Sequence, residues 1–487
     1  MEHIMNTFSS QYLTRKQNEK LKIFSVLVAE RYISLKKLSE SLETTMYQTK
    51  VLLLGLKEDI EQLDSDTSPL FFQEKGTIEL NKEYNQEVLL NVFVKLKKVY
   101  FDESPYFRLL NYLLKYRKTR VIDISKNLMF SKSYSYKLIS RLKDIFKFQQ
   151  IPITIHSDFE SISLKGNEKH IRTYHYLVQV MAYNVFADRH TRVNIDLVGE
   201  NYKSLQTTKV KHEILFSILE NAVSRGYIVH DLDRKTLDIF NIMRESYEDT
   251  ALTKLLPTNR SEEMDKEVAF FYFCRQLLIP ETTSIKDKVS ISERFKLIEN
   301  NSIVNFSIDV IKKISKKYNL NYEVEHIIMY ETIINTWAYQ NIYFEDLNRV
   351  FSQQSSDSRI SSIRNIIFEI VSNTDLEIAN KELFADKIAN ILVYFLPIQM
   401  DETVVIAISM LNYPEYVPVI QNKLLTIFNK KVINFSSIYE DADILVSDGV
   451  LCHDEYQDFA FFSDIHNKGH WDNLNSVVQK RIISKLG

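Results

Sequence analysis

The sequence predicts a mainly α, multidomain protein, and three observations carry that prediction. Glycine is scarce, at eight in 487 residues against roughly 7% on average, so tight turns are few and helices are favoured. Outside two short hairpins near the start, apolar residues recur at helical spacing until the period changes to that of strands near residue 404. A pair of short helices followed by a hairpin occurs twice near the start. A chain of this length is expected to hold several domains.

Composition narrows the function. Hydrophobic residues make up 45% and charged residues 26% of the chain, as in soluble globular proteins. No G-x-G occurs, which leaves dinucleotide and Walker-type phosphate loops without support. Cys274 and Cys452 stand far apart with no C-x-x-C, against a disulfide scaffold or zinc ribbon and in keeping with a reducing compartment. Glu2 and the lack of an apolar leader make a signal peptide unexpected. No apolar run approaches the ~18 residues that span a bilayer. The expectation is a cytoplasmic chain with no membrane partner, no metal and no cofactor.

The charge is uneven. The formal net charge is −3, yet Phe107–Lys147 holds eleven Lys or Arg and two Asp, a balance of +9, so the remainder sums to −12. The last 87 residues hold seven basic and twelve acidic groups, a net of −5. A basic island on an acidic body is the electrostatic footprint of a nucleic-acid-binding module.

Inside the island, Val121–Leu128 reads as a short helix, Met129 and Phe130 as the turn, and Ser131 as the N-cap of a second helix. Leu138, Leu142, Ile145 and Tyr134 share the inward stripe of that second helix. Tyr136, Ser140, Lys143 and Lys147 lie opposite, with Lys132 and Ser133 at its start. This is a helix-turn-helix whose basic second helix suits a major groove. Its candidate DNA-binding residues are Lys132, Ser133, Tyr136, Lys137, Ser140, Arg141 and Lys143. Alternating Ile151, Ile153 and Ile155, a turn at 157–160, then Ile162 and Leu164 predict a hairpin in the place of a wing. A weaker copy lies 86 residues earlier. Leu35–Ile60 aligns without gaps on Val121–Phe146, with Thr45 at the cap position and Phe71–Phe72, Gly76 and Thr77–Leu80 as its wing. Arg31–Leu63 balances five basic against five acidic groups, so Thr45, Tyr47, Gln48 and Lys50 are a secondary DNA-binding set. The competing interpretation is an amphipathic helical hairpin with a merely solvated face.

From about 168 to 398 the chain reads as successive helices: His170–Phe186, Val210–Ser224, Leu237–Tyr247, Met264–Leu278, Phe306–Tyr318, Val324–Gln340, Arg359–Val371 and Lys381–Phe395. Breaks are expected at Gly199, Gly226, Pro257, Pro280 and Pro397, and Pro280–Lys286 reads as a linker between two bundles. His170, His175, His190, His212, His230 and His326 show no metal-ligand spacing. A lone helical histidine is usually packed or solvated; its functional alternative is a phosphorylation site, since imidazole is nucleophilic near neutral pH. Val404–Ser409, Val432–Ile438 and Ala442–Ser447 read as strands, with a helix over Tyr416–Asn429 between the first two and a last helix at Trp471–Leu486. Strand, helix, strand predicts a small parallel α/β sheet.

This order of parts, with local text such as ISLKGNEKHIRTYHYL at 162–177, resembles the Mga/AtxA family of Gram-positive transcription regulators, some of which control virulence genes. The resemblance implies five domains: a first winged helix-turn-helix at 1–85, a second at 86–167, helical phosphotransferase-system regulation domains (PRDs) at 168–282 and 283–398, and an EIIB-like α/β domain at 399–487. It implies double-stranded promoter DNA as partner, read mainly by the second unit. It also implies a homodimer or higher oligomer held partly by the C-terminal domain, and a phosphotransferase-system phosphocarrier protein as a further partner. VKHEILFSILENAVSRG at 210–226 resembles the PRD helix that carries a histidine, which points to His212. In FADKIANILVYF at 384–395, Lys387 stands where a histidine is expected, and His326 is the weak substitute. The loop Ser409–Pro414 lacks the cysteine of a catalytic EIIB, so that domain is expected to be non-catalytic and the chain no enzyme. The alternatives are an RNA-binding PRD antiterminator, whose N-terminal β module this helical start does not match, and a phosphocarrier acting through Cys452.

Overall fold

The computed structural model describes residues 10–63, 70–74, 76–82, 84–158, 161–183, 206–245, 262–342, 359–396, 403–410, 412–429, 432–436, 438, 442–449 and 457–486. It is mainly helical, with small sheets. Contacts divide the chain into two compact units: Met1–Ser307 with Met329–Gln353 and Asp375–Asn380, and Ile308–Ile328 with Gln354–Thr374 and Lys381–Gly487.

The larger unit opens with two winged helix-turn-helices. The first runs α1 (Arg15–Glu30), β1 (Tyr32–Ser34), α2 (Leu35–Ser41), α3 (Met46–Leu63), β2 (Phe71–Glu74), β3 (Thr77–Leu80) and α4 (Gln86–Glu103). The second runs α5 (Pro105–Tyr116), β4 (Lys118–Arg120), α6 (Val121–Leu128), α7 (Lys132–Phe148), β5 (Ile153–Asp158), β6 (Ser161–Gly166) and α8 (Glu168–Tyr183). Each hairpin recruits the short strand before its helix pair, giving antiparallel sheets ordered β1-β3-β2 and β4-β6-β5. One apolar core runs through both, from Tyr12 to Ala182.

The 86-residue repeat extends to the backbone. Arg31 and Arg117 both end a helix at positive φ, 60° and 53°, and donate their N–H to Leu27 and Leu113. Glu43 and Met129 both sit at positive φ in the turn, 53° and 58°, the left-handed cap that stops one helix and re-aims the chain into the next. Buried Thr49 and Ser135 both donate to the carbonyl of the cap residue, Thr45 and Ser131, each at 3.0 Å.

The same unit continues through α9 (Gln206–Ser224), α10 (Arg234–Glu245), α11 (Glu262–Leu278) and α12 (Ile285–Phe295). The presumed linker at Pro280–Lys286 is instead a corner. Pro280–Thr282 forms a 3-10 turn, Thr282 and Thr283 are buried, and Ser284 caps α12 in a box with Asp287. α13 (Ser302–Ser315) and α14 (Tyr322–Asn341) follow, each with residues in both units. A buried ion chain ties the second winged unit to this bundle. Arg117 donates to Glu168 at 2.9 and 3.2 Å, Arg172 to Glu168 at 3.2 Å, and Arg172 again to Glu267 at 2.5 and 3.0 Å. The N–H of Val229 completes it, donating to Glu267 at 2.6 Å.

The smaller unit contains α15 (Arg359–Ser372) packed on α16 (Lys381–Leu392), and a four-stranded parallel sheet, β10-β9-β7-β8. Its strands are β7 (Val404–Ser409), β8 (Ile433–Ser436), β9 (Ile444–Ser447) and β10 (Asp458–Phe461), with α17 (Tyr416–Ile427) between the first two and α18 (Lys468–Leu486) after the last. Ile406, Ile420, Ile444, Val446, Phe462 and Leu474 form its core. β10 is an addition to the three expected strands. Among the described residues, no helix is long and apolar enough to cross a membrane. His190, Cys452 and the breaks at Gly199, Pro257 and Pro397 lie outside the described residues.

Candidate nucleic-acid interface

The helix α7 starts where the sequence places its cap: the Ser131 Oγ accepts from the Tyr134 N–H at 3.2 Å. Leu138, Ile139, Leu142, Ile145 and Phe146 are buried against the unit's core, and this fixes the direction of everything opposite. Lys132, Ser133, Tyr136, Lys137, Ser140 and Arg141 are exposed. Lys143 is half-buried because its ammonium donates to the Ser157 Oγ on β5 at 3.0 Å, joining the helix to its wing. All seven candidate residues therefore share one outward surface. Among the described residues, no carboxylate pairs with Lys132, Lys137, Arg141 or Lys143. Asp123 is taken up by Arg120, at 2.8 and 3.0 Å, and those hydrogen bonds hold its carboxyl below the usual range. The cations of α7 thus keep their full field for an external anion.

Tyr134 departs from the expected inward stripe. It is 40% exposed and stands edge-on to Phe130 at 5.5 Å, because the first turn of α7 projects past the buried floor that begins at Ser135. Its hydroxyl is a further candidate contact. Lys118 and Arg120 on β4 are also exposed; both belong to the basic island, but a three-residue strand has too little alternation to have been expected there.

In the first unit the secondary set is arranged differently. Thr45 and Gln48 cap each other: the Gln48 N–H donates to the Thr45 Oγ1 at 3.2 Å, and the Thr45 N–H to the Gln48 Oε1 at 3.4 Å. Tyr47, 77% exposed, and Lys50 point outward. The two histidine candidates lie far from either reading helix in sequence and are both buried. His212 sits edge-on to Phe271 at 5.8 Å, and neither ring nitrogen is hydrogen-bonded among the described residues. Burial, then the Arg275 charge, pushes its imidazole down to about 3. His326 packs against Tyr322 at 4.4 Å.

Residues 93–179 match the model of the Mga helix-turn-helix domain. That segment runs from within α4 to within α8 and contains α5 through β6, with the whole of α7. No curated protein matches the chain.

Proposed function

Residues 93–179 mark this chain as Mga-like, and from that premise we propose a transcription regulator that binds promoter DNA through α7. A DNA-binding regulator is what the domain itself indicates; the assignment of residues is ours. The observation that carries it is the row of Lys132, Lys137, Arg141 and Lys143 on one surface, with no carboxylate partner among the described residues. Such a row releases counterions from a phosphate backbone, while Ser133, Tyr136 and Ser140, set between the cations, reach for base edges. Thr45, Tyr47, Gln48 and Lys50 form the weaker arm, since two of the four are engaged in the cap.

The test is salt-dependent binding of a promoter fragment. Each Lys→Ala change should weaken all sequences alike and flatten the salt slope by about one unit. Unchanged affinity in a variant lacking all four cations rejects the assignment.

The finer organisation follows the family resemblance: winged units at 1–85 and 86–167, PRD-like bundles at 168–282 and 283–398, and a non-catalytic EIIB-like domain at 399–487 that holds homodimers or larger oligomers. Deletion of 399–487 should lower the oligomer mass in sedimentation, and an unchanged mass removes that role. Regulation by a phosphotransferase-system phosphocarrier is assigned to His212 first and His326 second. Burial of His212 means that its ring must leave the Phe271 contact to be modified. A phosphoryl dianion could not return without a partner for its charge, so modification and opening would be one event. Phosphate incorporation should fall in His212→Ala; equal incorporation overturns that choice.

A further inference from the structure

Within the larger unit α9 packs against α11, and three contacts set their register. Near the start of α9 the Thr208 hydroxyl donates to the Glu281 carboxylate at 3.4 Å, in the turn just past the end of α11. One turn further along α9, His212 stands edge-on to Phe271 at 5.8 Å, and after another turn Phe216 does so at 6.3 Å. The two helices therefore run antiparallel. Arg275 lies one turn after Phe271 in the direction of Glu281, which sets it beside His212 on the Thr208 side. His212, Phe216, Phe271 and Arg275 are all buried, and the Arg275 charge helps keep the His212 ring neutral.

One added group would turn this pair of side chains from neighbours into partners. A guanidinium stays charged at any pH a protein meets, so a positive charge is fixed beside a ring that carries none and whose two nitrogens are unbonded among the described residues. Transfer from a phosphohistidine donor breaks the donor's N–P bond and forms one to a His212 nitrogen. The electron pair of the broken bond stays on the donor's imidazole, which takes up the proton that the His212 ring gives up. The phosphoryl group brings close to two negative charges, and a guanidinium meets phosphate oxygens with two parallel N–H bonds. The neighbouring carboxylate, Glu281, is held by Lys211 at 2.5 Å. Resting on the phosphorylation reading above, we propose that Arg275 is the residue that holds the phosphoryl group of His212, so that the modified ring returns to the α9–α11 contact as an ion pair.

The test is thermal melting of the full chain before and after treatment with potassium phosphoramidate, with the label at His212 located by peptide mass spectrometry. His212→Gln, treated alike, is the blank for the other histidines. Labelling should leave the melting temperature of the native chain unchanged or raise it. In Arg275→Gln the same label should lower it by at least about 4 °C, because a buried charge then lacks its partner. Arg275→Lys should restore the native response, which a merely structural role for Arg275 would not predict. Equal shifts in the native chain and in Arg275→Gln overturn the proposal and leave His212 phosphorylation standing. Absence of label at His212 in the native chain removes that reading and the proposal with it. Where Arg275→Gln does not fold, position 212 carries the test: with Arg275 in place, His212→Glu should melt no lower than His212→Gln. A melting temperature lower by about 4 °C or more overturns the proposal.

Discussion

Arg31 with Arg117, Glu43 with Met129, and Thr45 with Ser131 occupy equivalent places in two winged units, with like backbone angles and like caps. The surfaces above that shared frame differ at many outward positions, although Lys57 and Lys143 are equivalent and alike. α7 shows Lys132, Ser133, Lys137 and Ser140 where α3 shows Met46, Tyr47, Val51 and Leu54. The outer sheet faces differ likewise, with Tyr32, Glu79 and Phe72 in one cross-strand row and Lys118, Ser163 and His156 in the other. Inward residues and turn geometry determine the fold; outward residues are free to be chosen for a partner. A duplicated reading unit can therefore keep its shape while exchanging its ligand.

The largest way to break this comparison is charge reversal. Lys132, Lys137, Arg141 and Lys143 changed together to Glu should cost on the order of a thousandfold in duplex affinity at low salt. Lys50→Glu on α3 should cost less than about threefold, since one cation leaves a surface that is not built on cations. Equal losses from the two helices, read by fluorescence anisotropy, would erase the functional distinction.

The shared frame makes a matched prediction for stability. Leu56 and Leu142 are equivalent and fully buried. Leu56→Ala and Leu142→Ala should each destabilise by about 2–5 kcal/mol in denaturant unfolding, the cost of lost transfer and a cavity. A cost confined to one unit would show that the two cores are not alike.

A pH scan sharpens the comparison. The helix after the second wing half-buries His175, whose imidazole is pushed down to about 3 by desolvation and then by the Arg117 charge. Its counterpart α4 buries Lys97, pushed down to about 8 by burial. The folded value of His175 lies below the unfolded one, near 6.5, so its contribution is complete above pH 6.5 and is lost as pH falls toward 3. That loss amounts to about 2 kcal/mol by pH 5. Lys97 is largely protonated in both states below pH 7, so it adds little to the slope there. His175→Phe should flatten the melting temperature between pH 7 and 5; an unaltered slope rejects the argument. The smallest effect belongs to the caps, where Ser131→Ala and Thr45→Ala should each cost about 1 kcal/mol.

Much of this was legible because it is local. Ser131 and Thr45 announce their caps, and the isoleucines of the second wing announce their strands. The turn at Gly76 does the same for the first, with φ of 83°. What stayed hidden depends on distant partners. Tyr32–Ser34 and Lys118–Arg120 become strands only because β3 and β6, more than forty residues later, lie beside them. Ile285–Phe295 was obscured by Pro280, which starts a corner here rather than a linker. Tyr134 follows the apolar period yet has no floor beneath it. The burial of His212 depends on Phe271, far along the chain, and no spacing rule could show it.

The chain from Arg117 through Glu168 and Arg172 to Glu267 has its own mechanical meaning. Arg172 and Glu267 have almost no water around them, so salt that loosens a protein from phosphates leaves this joint largely unscreened. Separating the two would strand a charge at a cost of several kcal/mol. Under the proposed function, a displacement of the bundle would therefore carry the second winged unit with it rather than break this joint.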